Sequence, residues 1–148
     1  MSAETQLQIK NQVCFPLYAL SREIIGAYRP FLDALEITYP QYIVLMVLWE
    51  EEPLTVNSIG EKLHLDSGTL SPLLKKMEAK NLIFRKRKTE DERIVEIFLT
   101  EKGREIKADA AAIPGKLMYQ LKVTEEEIIQ LKEISNKILN RISQKSKE

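Results

Sequence analysis

Cys14 is the only cysteine in the 148-residue chain, and it stands near the predicted start of a long helix. Peroxides react with thiolates, and the dipole at a helix N-terminus stabilises such an anion. Tyr18, Tyr28 and Tyr39 follow along the chain, and phenol hydroxyls can donate hydrogen bonds to a thiolate. Oxidation would first give a sulfenic acid, which another thiol can trap reversibly as a disulfide. These residue types therefore indicate reversible thiol oxidation.

The same residues also have a purely structural interpretation, because a single cysteine on an apolar helix is usually a small buried hydrophobe. Three tyrosines in a helical protein are likewise often core or interface residues. If the thiol does react, its apolar neighbours Phe15 and Leu17, together with Phe31, favour alkyl or lipid hydroperoxides over hydrogen peroxide. Residue type and position leave both interpretations open.

Other site chemistries have little support in the sequence. One cysteine excludes an internal disulfide and a cysteine-cluster metal site, and the only histidine, His64, has no ligand partners in its sequence neighbourhood. We find no catalytic arrangement of histidine and carboxylate and no glycine-rich phosphate loop, so an enzyme such as a thiol peroxidase is disfavoured. We expect no metal and no cofactor.

The composition is that of a globular chain, with 44% hydrophobic and 30% charged residues. Lysines and arginines number 22, as do aspartates and glutamates, so net charge does not indicate a nucleic-acid partner. No apolar run reaches the roughly 18 residues of a membrane span, and the first residues do not resemble a signal peptide. We expect a cytoplasmic protein that has one domain over residues 1–148 and does not bind membranes.

A long helix is predicted to carry Cys14 within its first turn or two, with Asn11 as its N-cap. Its apolar stripe has helical spacing and comprises Val13, Leu17, Leu20, Ile24, Tyr28, Phe31 and Leu35. Further apolar residues lie off the stripe, which indicates a dimerisation surface. Thr38 and Gln41 then form a predicted capping box before a core helix that runs from Tyr42 to Trp49.

A winged helix-turn-helix is predicted over about residues 54–99, and the fold class is mostly α with a small β-wing. A short strand at 54–56 precedes a helix at 58–63, and Asp66 or Ser67 caps a second helix. The predicted buried positions of that second helix are Leu70, Leu73, Leu74 and Met77. Strands at 82–88 and 94–99 flank a polar hairpin tip. Terminal helices at about 8–36 and 101–145 are the predicted dimerisation region.

Positive charge is concentrated in the segment from Lys75 to Arg93, which holds eight basic and four acidic side chains in a chain whose formal net charge is zero. Such segregation after a helix-turn-helix predicts a DNA-binding edge. Within it, Asp91 can hold Arg93 by a bidentate pair and aim it at a narrow minor groove. The predicted DNA-contacting residues are Ser67, Thr69, Ser71, Pro72, Lys75, Lys76, Arg85, Lys86, Arg87, Asp91 and Arg93.

Five segments resemble the MarR family of winged-helix repressors and, within it, the organic-hydroperoxide-sensing (OhrR) type. They are Asn-Gln-Val-Cys-Phe-Pro-Leu-Tyr (11–18), Tyr-Arg-Pro-Phe-Leu-Asp (28–33), Thr-Tyr-Pro-Gln-Tyr (38–42), Leu-Asp-Ser-Gly-Thr-Leu-Ser-Pro-Leu-Leu-Lys-Lys (65–76), and Asp-Glu-Arg with Leu-Thr-Glu-Lys-Gly (91–93 and 99–103). The resemblance covers about residues 10–110 and implies a homodimer that binds operator DNA, represses its own gene or a neighbouring peroxidase gene, and responds to oxidative stress.

The resemblance also implies roles for the thiol and the tyrosines. Cys14 would be the peroxidatic residue, Tyr28 and Tyr39 its hydrogen-bond donors, in part from the partner subunit, and Tyr18 a wall of the pocket. Because the chain has no second cysteine, it resembles the one-cysteine type, in which a low-molecular-weight thiol caps the oxidised residue. The alternative is a repressor of the same family that is released by a non-covalent aromatic ligand, with Cys14 inert.

Overall fold

The computed structural model describes residues 2–145, which divide after Ile113 into two compact units. The helices are α1 (Ala3–Gln6), α2 (Cys14–Asp33), α3 (Tyr39–Glu50), α4 (Val56–Leu63), α5 (Ser67–Ala79), α6 (Glu101–Ala110), α7 (Ile113–Leu121) and α8 (Glu125–Lys145). The strands are β1 (Leu54–Thr55), β2 (Ile83–Arg87) and β3 (Val95–Leu99). Among the described helices, none is both long and apolar enough to span a bilayer.

The start of α2 differs from the prediction in one respect. Asn11 is not its N-cap, because it ends a separate 3-10 helix and its side-chain amide donates to the Thr5 carbonyl at 2.7 Å. Val13 occupies the N-cap and contributes no side-chain hydrogen bond. Cys14 is the first residue of α2, so its predicted place in the first turn is confirmed.

α3 is the central helix of the first unit and begins with the predicted capping box. The Thr38 backbone N–H donates to Gln41 Oε1 at 3.1 Å, and the Gln41 N–H donates back to Thr38 Oγ1 at 3.4 Å. Apolar residues surround this helix, which has no single polar face, so it is buried on several sides. Its buried apolar residues are Tyr42, Val44, Leu45 and Leu48.

The helix-turn-helix consists of α4 and α5. Thr55 rather than a later residue caps α4, so the helix begins at Val56, two residues before the predicted start. A Cβ atom on Gly60 would lie 2.7 Å from the Leu65 carbonyl oxygen, so only glycine permits this close turn. Asp66 caps α5 by accepting from the Thr69 N–H at 2.7 Å, one of the two predicted possibilities.

The wing is an antiparallel hairpin of β2 and β3, and β1 completes a three-stranded sheet in the order β1-β3-β2. The register pairs Ile83 with Leu99, both buried, at the base of the hairpin. The predicted fold class, a mostly helical chain with a small β-wing, is confirmed.

The second unit contains most of α7 and all of α8. α6 ends at Ala110, so Ile113 does not continue it but starts α7. Thr124 and Glu127 form a capping box before α8, in which the Thr124 N–H donates to Glu127 Oε2 at 2.8 Å and the Glu127 N–H donates to Thr124 Oγ1 at 3.2 Å.

Candidate thiol site and nucleic-acid interface

Cys14 is a free thiol that is exposed on the isolated chain, at the first position of α2. The interpretation of this residue as a hydrophobe buried in the core of its own chain is therefore wrong. Its surroundings are apolar but open, since Phe15 and Leu17 are each 49% exposed and Tyr18 is 62% exposed. The thiol thus lies on an apolar surface that the chain itself does not cover.

Tyr18 lies one helical turn after Cys14 and is held on the helix surface by a cation. The Arg22 guanidinium lies 5.6 Å from the centre of the Tyr18 ring, within cation–π range. Since residues four apart are neighbours on a helix, Cys14, Tyr18 and Arg22 follow one another along one side of α2. This arrangement fits the predicted role of Tyr18 as a wall beside the thiol.

The other two predicted tyrosines meet at the far end of α2. The Tyr28 and Tyr39 rings are 5.0 Å apart between centroids, and both contact a third ring, that of Tyr42, at 5.7 and 6.3 Å. Tyr42 was predicted only as a residue of the core helix, and its contact with the other two tyrosines was not predicted. Its signal was present in the Thr-Tyr-Pro-Gln-Tyr segment, because residues three apart on a helix share a side.

Trp49 extends this cluster toward the wing. Its ring meets Tyr42 edge-on at 6.3 Å, and its indole N–H donates to the Gly103 carbonyl on α6 at 2.9 Å. A Cβ atom on Gly103 would collide with the Leu82 carbonyl oxygen, just before β2, so α6 begins in close contact with the base of the wing. The tyrosine cluster is therefore in packing contact with the elements that carry the hairpin.

Burial keeps the phenols of the cluster protonated. It raises the pKa of Tyr28 to about 12, with the nearby Tyr39 and Tyr42 hydroxyls adding to the effect. Burial also raises the pKa of Tyr39 and of Tyr42 above the usual range for tyrosine. A protonated phenol donates a hydrogen bond, so these residues remain donors at any physiological pH.

A pH titration of the tyrosines followed by ultraviolet absorbance should show this environment. We expect Tyr28, Tyr39 and Tyr42 to ionise at higher pH in the folded protein than in guanidinium-unfolded chain. Since the folded-state pKa is the higher one, the associated stability is fully present below about pH 10 and is lost as the pH rises toward about 12. Identical titration curves for folded and unfolded protein would contradict the burial of the cluster.

The thiol and the tyrosine cluster of one chain lie too far apart to interact. At a rise of about 1.5 Å per residue, the segment from Cys14 to Tyr28 spans about 21 Å of the α2 axis. That length exceeds the combined reach of the two side chains. The segment is also close to four helical turns, so both residues lie on nearly the same side of α2. One chain therefore presents a thiol and a set of phenol donors at opposite ends of one helix side.

The predicted DNA-reading helix exposes its polar side. Leu70, Leu74 and Met77 are buried, and Leu73 is only partly buried, so the predicted burial pattern of α5 is right at three of four positions. The predicted contact residues on this helix are all exposed: Ser67, Thr69, Ser71, Pro72, Lys75 and Lys76. Small hydroxyl side chains near the helix start leave room for a base edge or phosphate, and the lysines lie farther along.

The hairpin tip holds Arg93 as predicted from the sequence. Its guanidinium donates to both oxygens of Asp91, at 3.1 and 3.3 Å, while its backbone N–H donates to Asp91 Oδ1 at 3.1 Å. The same contacts keep the pKa of Asp91 below its usual range, so the pair stays charged. The Arg93 side chain is nevertheless 91% exposed, and it is free to meet a ligand with its remaining surface.

The remaining basic residues of the hairpin have different surroundings. Arg85 is paired with Glu78 of α5, with its Nη2 atom 2.8 Å from Glu78 Oε2. Arg87 donates to the Glu92 carbonyl at 2.8 Å, and Lys86 is exposed on β2 opposite Glu96 of β3. Arg85 thus braces the wing against the helix, while Lys86 and Arg87 contribute charge to the hairpin surface.

A cleft of about 400 Å³ separates α5 from the wing. Its lining includes Ser71 of α5, Asn57 near the start of α4, and the arginines Arg85 and Arg93. Exposed α5, the cleft and the hairpin together form a polar and basic edge of the first unit. Its positive charge and exposed hydroxyl groups suit contact with the phosphate backbone of nucleic acid.

Comparison with known proteins identifies relatives over nearly the whole chain. Residues 27–110 match the family described as transcriptional regulator SarA/Rot. The chain is 51% identical, over 95% of both chains, to the organic hydroperoxide resistance transcriptional regulator of Bacillus subtilis (strain 168). Two similar solved structures are reduced AbfR bound to DNA, with a TM-score of 0.78 and 33% identity over 95% of this chain and 99% of that one, and overoxidized AbfR bound to DNA, with a TM-score of 0.76 and 35% identity over 94% and 98%.

Proposed function

The chain belongs to the MarR/SarA-type family of winged-helix transcriptional regulators and to its organic-hydroperoxide-sensing type, and from this premise we propose a redox-sensing repressor. In this proposal a homodimer binds operator DNA while Cys14 is reduced. It releases the DNA when organic hydroperoxide oxidises Cys14 and a low-molecular-weight thiol caps the product. The single observation that carries the proposal is the division of the site between the two ends of α2.

An antiparallel pair of α2 helices would complete the site. Ser21 lies midway between Cys14 and Tyr28 on nearly the same side of the helix. A two-fold axis near Ser21 would therefore set the Cys14 of each subunit opposite the Tyr28 of the other, and Tyr39 contacts Tyr28. Each phenol donor would then serve the thiol of the other subunit. The separation of about 21 Å between Cys14 and Tyr28 supports this arrangement, because the thiol and the phenols of one chain cannot contact each other.

Exposed apolar residues on α2 and α8 would favour the association of two chains. On α2 and just before it, Val13, Phe15, Leu17, Tyr18, Leu20 and Ile25 are between 41% and 73% exposed. On α8, Ile129, Ile134, Ile138, Leu139 and Ile142 are between 39% and 60% exposed. Exposed apolar patches of this extent mark interaction surfaces. We assign both sets to the homodimer interface, which corresponds to the terminal regions 8–36 and 101–145.

The DNA-binding role belongs to α5 and the wing. A two-fold dimer would present two α5 helices to successive major grooves and two Arg93 side chains to the flanking minor grooves. It would read a pseudo-palindrome whose half-sites lie about one helical turn apart. The similar protein AbfR is bound to DNA in both its reduced and its overoxidized forms, which supports DNA binding by this chain and a release that requires the thiol cap rather than oxygen addition alone.

The redox chemistry requires two steps. The Cys14 thiolate attacks the distal oxygen of the hydroperoxide ROOH, the O–O bond breaks, and protonation of the leaving group gives Cys14 sulfenic acid and the alcohol ROH. Phenol donors from the partner subunit would stabilise the thiolate and the developing alkoxide. A small thiol R′SH then displaces hydroxide from the sulfenic sulfur, which gives the mixed disulfide and water.

Intact-mass measurement tests the proposed chemistry directly. After cumene hydroperoxide alone, we expect Cys14 to gain one oxygen atom or more. With free cysteine present, we expect the mass of one cysteine less two hydrogens per subunit, which dithiothreitol removes. The released fraction of DNA should follow the fraction of Cys14 that carries the cysteine cap. An unmodified protein that still releases DNA, or releases it only with an aromatic acid, would instead support a non-covalent ligand.

A further inference from the structure

Lys80 is the first observation that leads beyond this function. It belongs by sequence to the basic segment, yet the acceptors of its ammonium lie outside α5 and the wing. Its ammonium donates to the Glu36 carbonyl at 2.7 Å and to Gln41 Oε1 at 3.1 Å. Both acceptors lie at the corner between α2 and α3, about forty residues away in the chain.

The corner that Lys80 contacts carries one of the sensing tyrosines. Tyr39 is the first residue of α3, between Thr38 and Gln41 of the capping box. Gln41 Oε1 accepts from both the Thr38 N–H and the Lys80 ammonium. Gln41 is 2% exposed and is the one buried polar side chain among the described residues. A buried amide must keep its partners, so the capping box and Lys80 are expected to move together.

The opposite side of the contact is fixed to the recognition helix. Lys80 is the C-cap of α5, and its backbone N–H donates to the Lys76 carbonyl at 3.1 Å. Its own carbonyl accepts from Lys102 on α6 at 3.3 Å, and the next carbonyl, that of Asn81, accepts from Thr100 Oγ1 at 2.6 Å. Lys80 is therefore joined by short bonds to the reading helix, to the start of α6 and to the tyrosine corner.

We propose that Lys80 is a positioning residue that couples the oxidation state of the Cys14 site to the orientation of α5. The inference rests on the proposed function, because it assigns a route for the same redox response. When the oxidised thiol of the partner subunit displaces Tyr28 and Tyr39, the Thr38 capping box is displaced with them. The hydrogen bonds from the Lys80 ammonium to Gln41 and to the Glu36 carbonyl then transmit this displacement to Lys80. The C-terminal end of α5 moves with Lys80.

The backbone at both ends of the bridge supports a fixed geometry. Glu36 has a φ of 56° and Asn81 has a φ of 58°, both in the left-handed region that most residues avoid. Asparagine tolerates this conformation, but glutamate has no such preference. At Glu36 the left-handed turn carries the carbonyl that accepts the Lys80 ammonium. The hydrogen bond from Lys80 thus helps to offset the cost of the turn.

Lys80→Met removes the ammonium but keeps the length of the side chain, and Lys62→Met is the matched control. Lys62 lies on α4 and forms an ion pair with Glu51 at 3.2 Å, so the control loses the same charge together with a polar contact of its own. The probe is a DNA duplex selected from a random library by the reduced protein. The measured quantity is the ratio of Kd values for protein capped with cysteine at Cys14 and for reduced protein.

We expect Lys80→Met to lower this ratio by about fivefold or more, within the range found for coupling residues, while Cys14 is oxidised as fast as in wild type. Lys62→Met and the conservative Lys80→Arg should keep the wild-type ratio.

The outcomes separate this inference from the function on which it rests. If wild-type protein does not change its Kd on oxidation, the proposed function fails, and the coupling role fails with it. If wild type responds and Lys80→Met has the same ratio and the same reaction rate, the coupling role is overturned while the proposed function stands. If Lys80→Met slows Cys14 oxidation instead, Lys80 acts on the thiol site, and the proposed coupling to α5 is also overturned.

Discussion

Replacing Cys14 with serine is expected to abolish hydroperoxide-induced release of DNA while the reduced-state affinity stays close to that of wild type. Serine matches the size of cysteine, but its hydroxyl is not oxidised under these conditions. The predicted DNA-contacting residues, on α5 and the wing, do not include any residue near position 14. The test is the Kd for the selected duplex, measured by fluorescence anisotropy before and after cumene hydroperoxide with free cysteine. The expected effect is the complete loss of the redox response.

The control for this variant addresses the other oxidisable sulfur atoms. The chain has four methionines, and Met118 of α7 is only partly buried. Hydroperoxide can also oxidise methionine to methionine sulfoxide, which can disturb packing without any reaction of the Cys14 thiol. Met118→Leu should therefore respond to hydroperoxide like wild type. Release of DNA from Cys14→Ser under the same treatment would show that another residue senses the peroxide and would refute the proposed mechanism.

Replacing Arg93 with alanine is expected to have the largest effect on DNA affinity. Arg93 is 91% exposed but held in one direction by Asp91, so little entropy is lost when it binds. Loss of an arginine contact costs about 1 kcal/mol or more per subunit, so the Kd of a dimer should rise by roughly 30-fold. If Arg93 lies near phosphates, the slope of log K against log salt should also become shallower by about one per subunit.

Two comparisons decide whether the effect is specific. Lys132→Ala removes the same formal charge from exposed α8 and should change the affinity little. Asp91→Asn keeps Arg93 but weakens its bidentate pairing, so it should fall between wild type and Arg93→Ala. Equal salt slopes and equal Kd values for Arg93→Ala and Lys132→Ala would place the wing arginine away from the DNA.

The features that the sequence predicted correctly are local ones. The pair Thr38 and Gln41, and also Asp66, cap their helices as predicted, because a cap involves residues only two or three positions apart. The prediction failed at Asn11, where the same chemistry was available but the side chain bonds six residues back to Thr5. The 3-10 helix before α2 has no periodic spacing of hydrophobic residues, so the sequence did not indicate it.

The candidate site likewise has features that the sequence predicted and contacts that it did not predict. Residue types and spacing indicated the single cysteine, its place at a helix start and the tyrosine segments. The contact of Tyr42 with Tyr28 and Tyr39 was not, because it depends on how α2 crosses α3. Likewise, Arg85 was predicted only as a DNA-contacting residue, but its guanidinium is paired with Glu78. The periodicity of hydrophobic residues predicts which side of a helix is buried. It does not predict which residues of other elements contact that side.

The sequence by itself determined the chemistry available to this protein: one oxidisable thiol, phenol donors, a reading helix and a basic hairpin with a pre-aimed arginine. These follow from residue identity and short-range spacing. Only the tertiary structure decided that Cys14 is exposed, that its helix places the phenol donors about 21 Å away, and that Lys80 bonds the tyrosine corner. The physical reason is that a long side chain follows whichever acceptors packing brings near, and those acceptors lie more than thirty residues away in the chain.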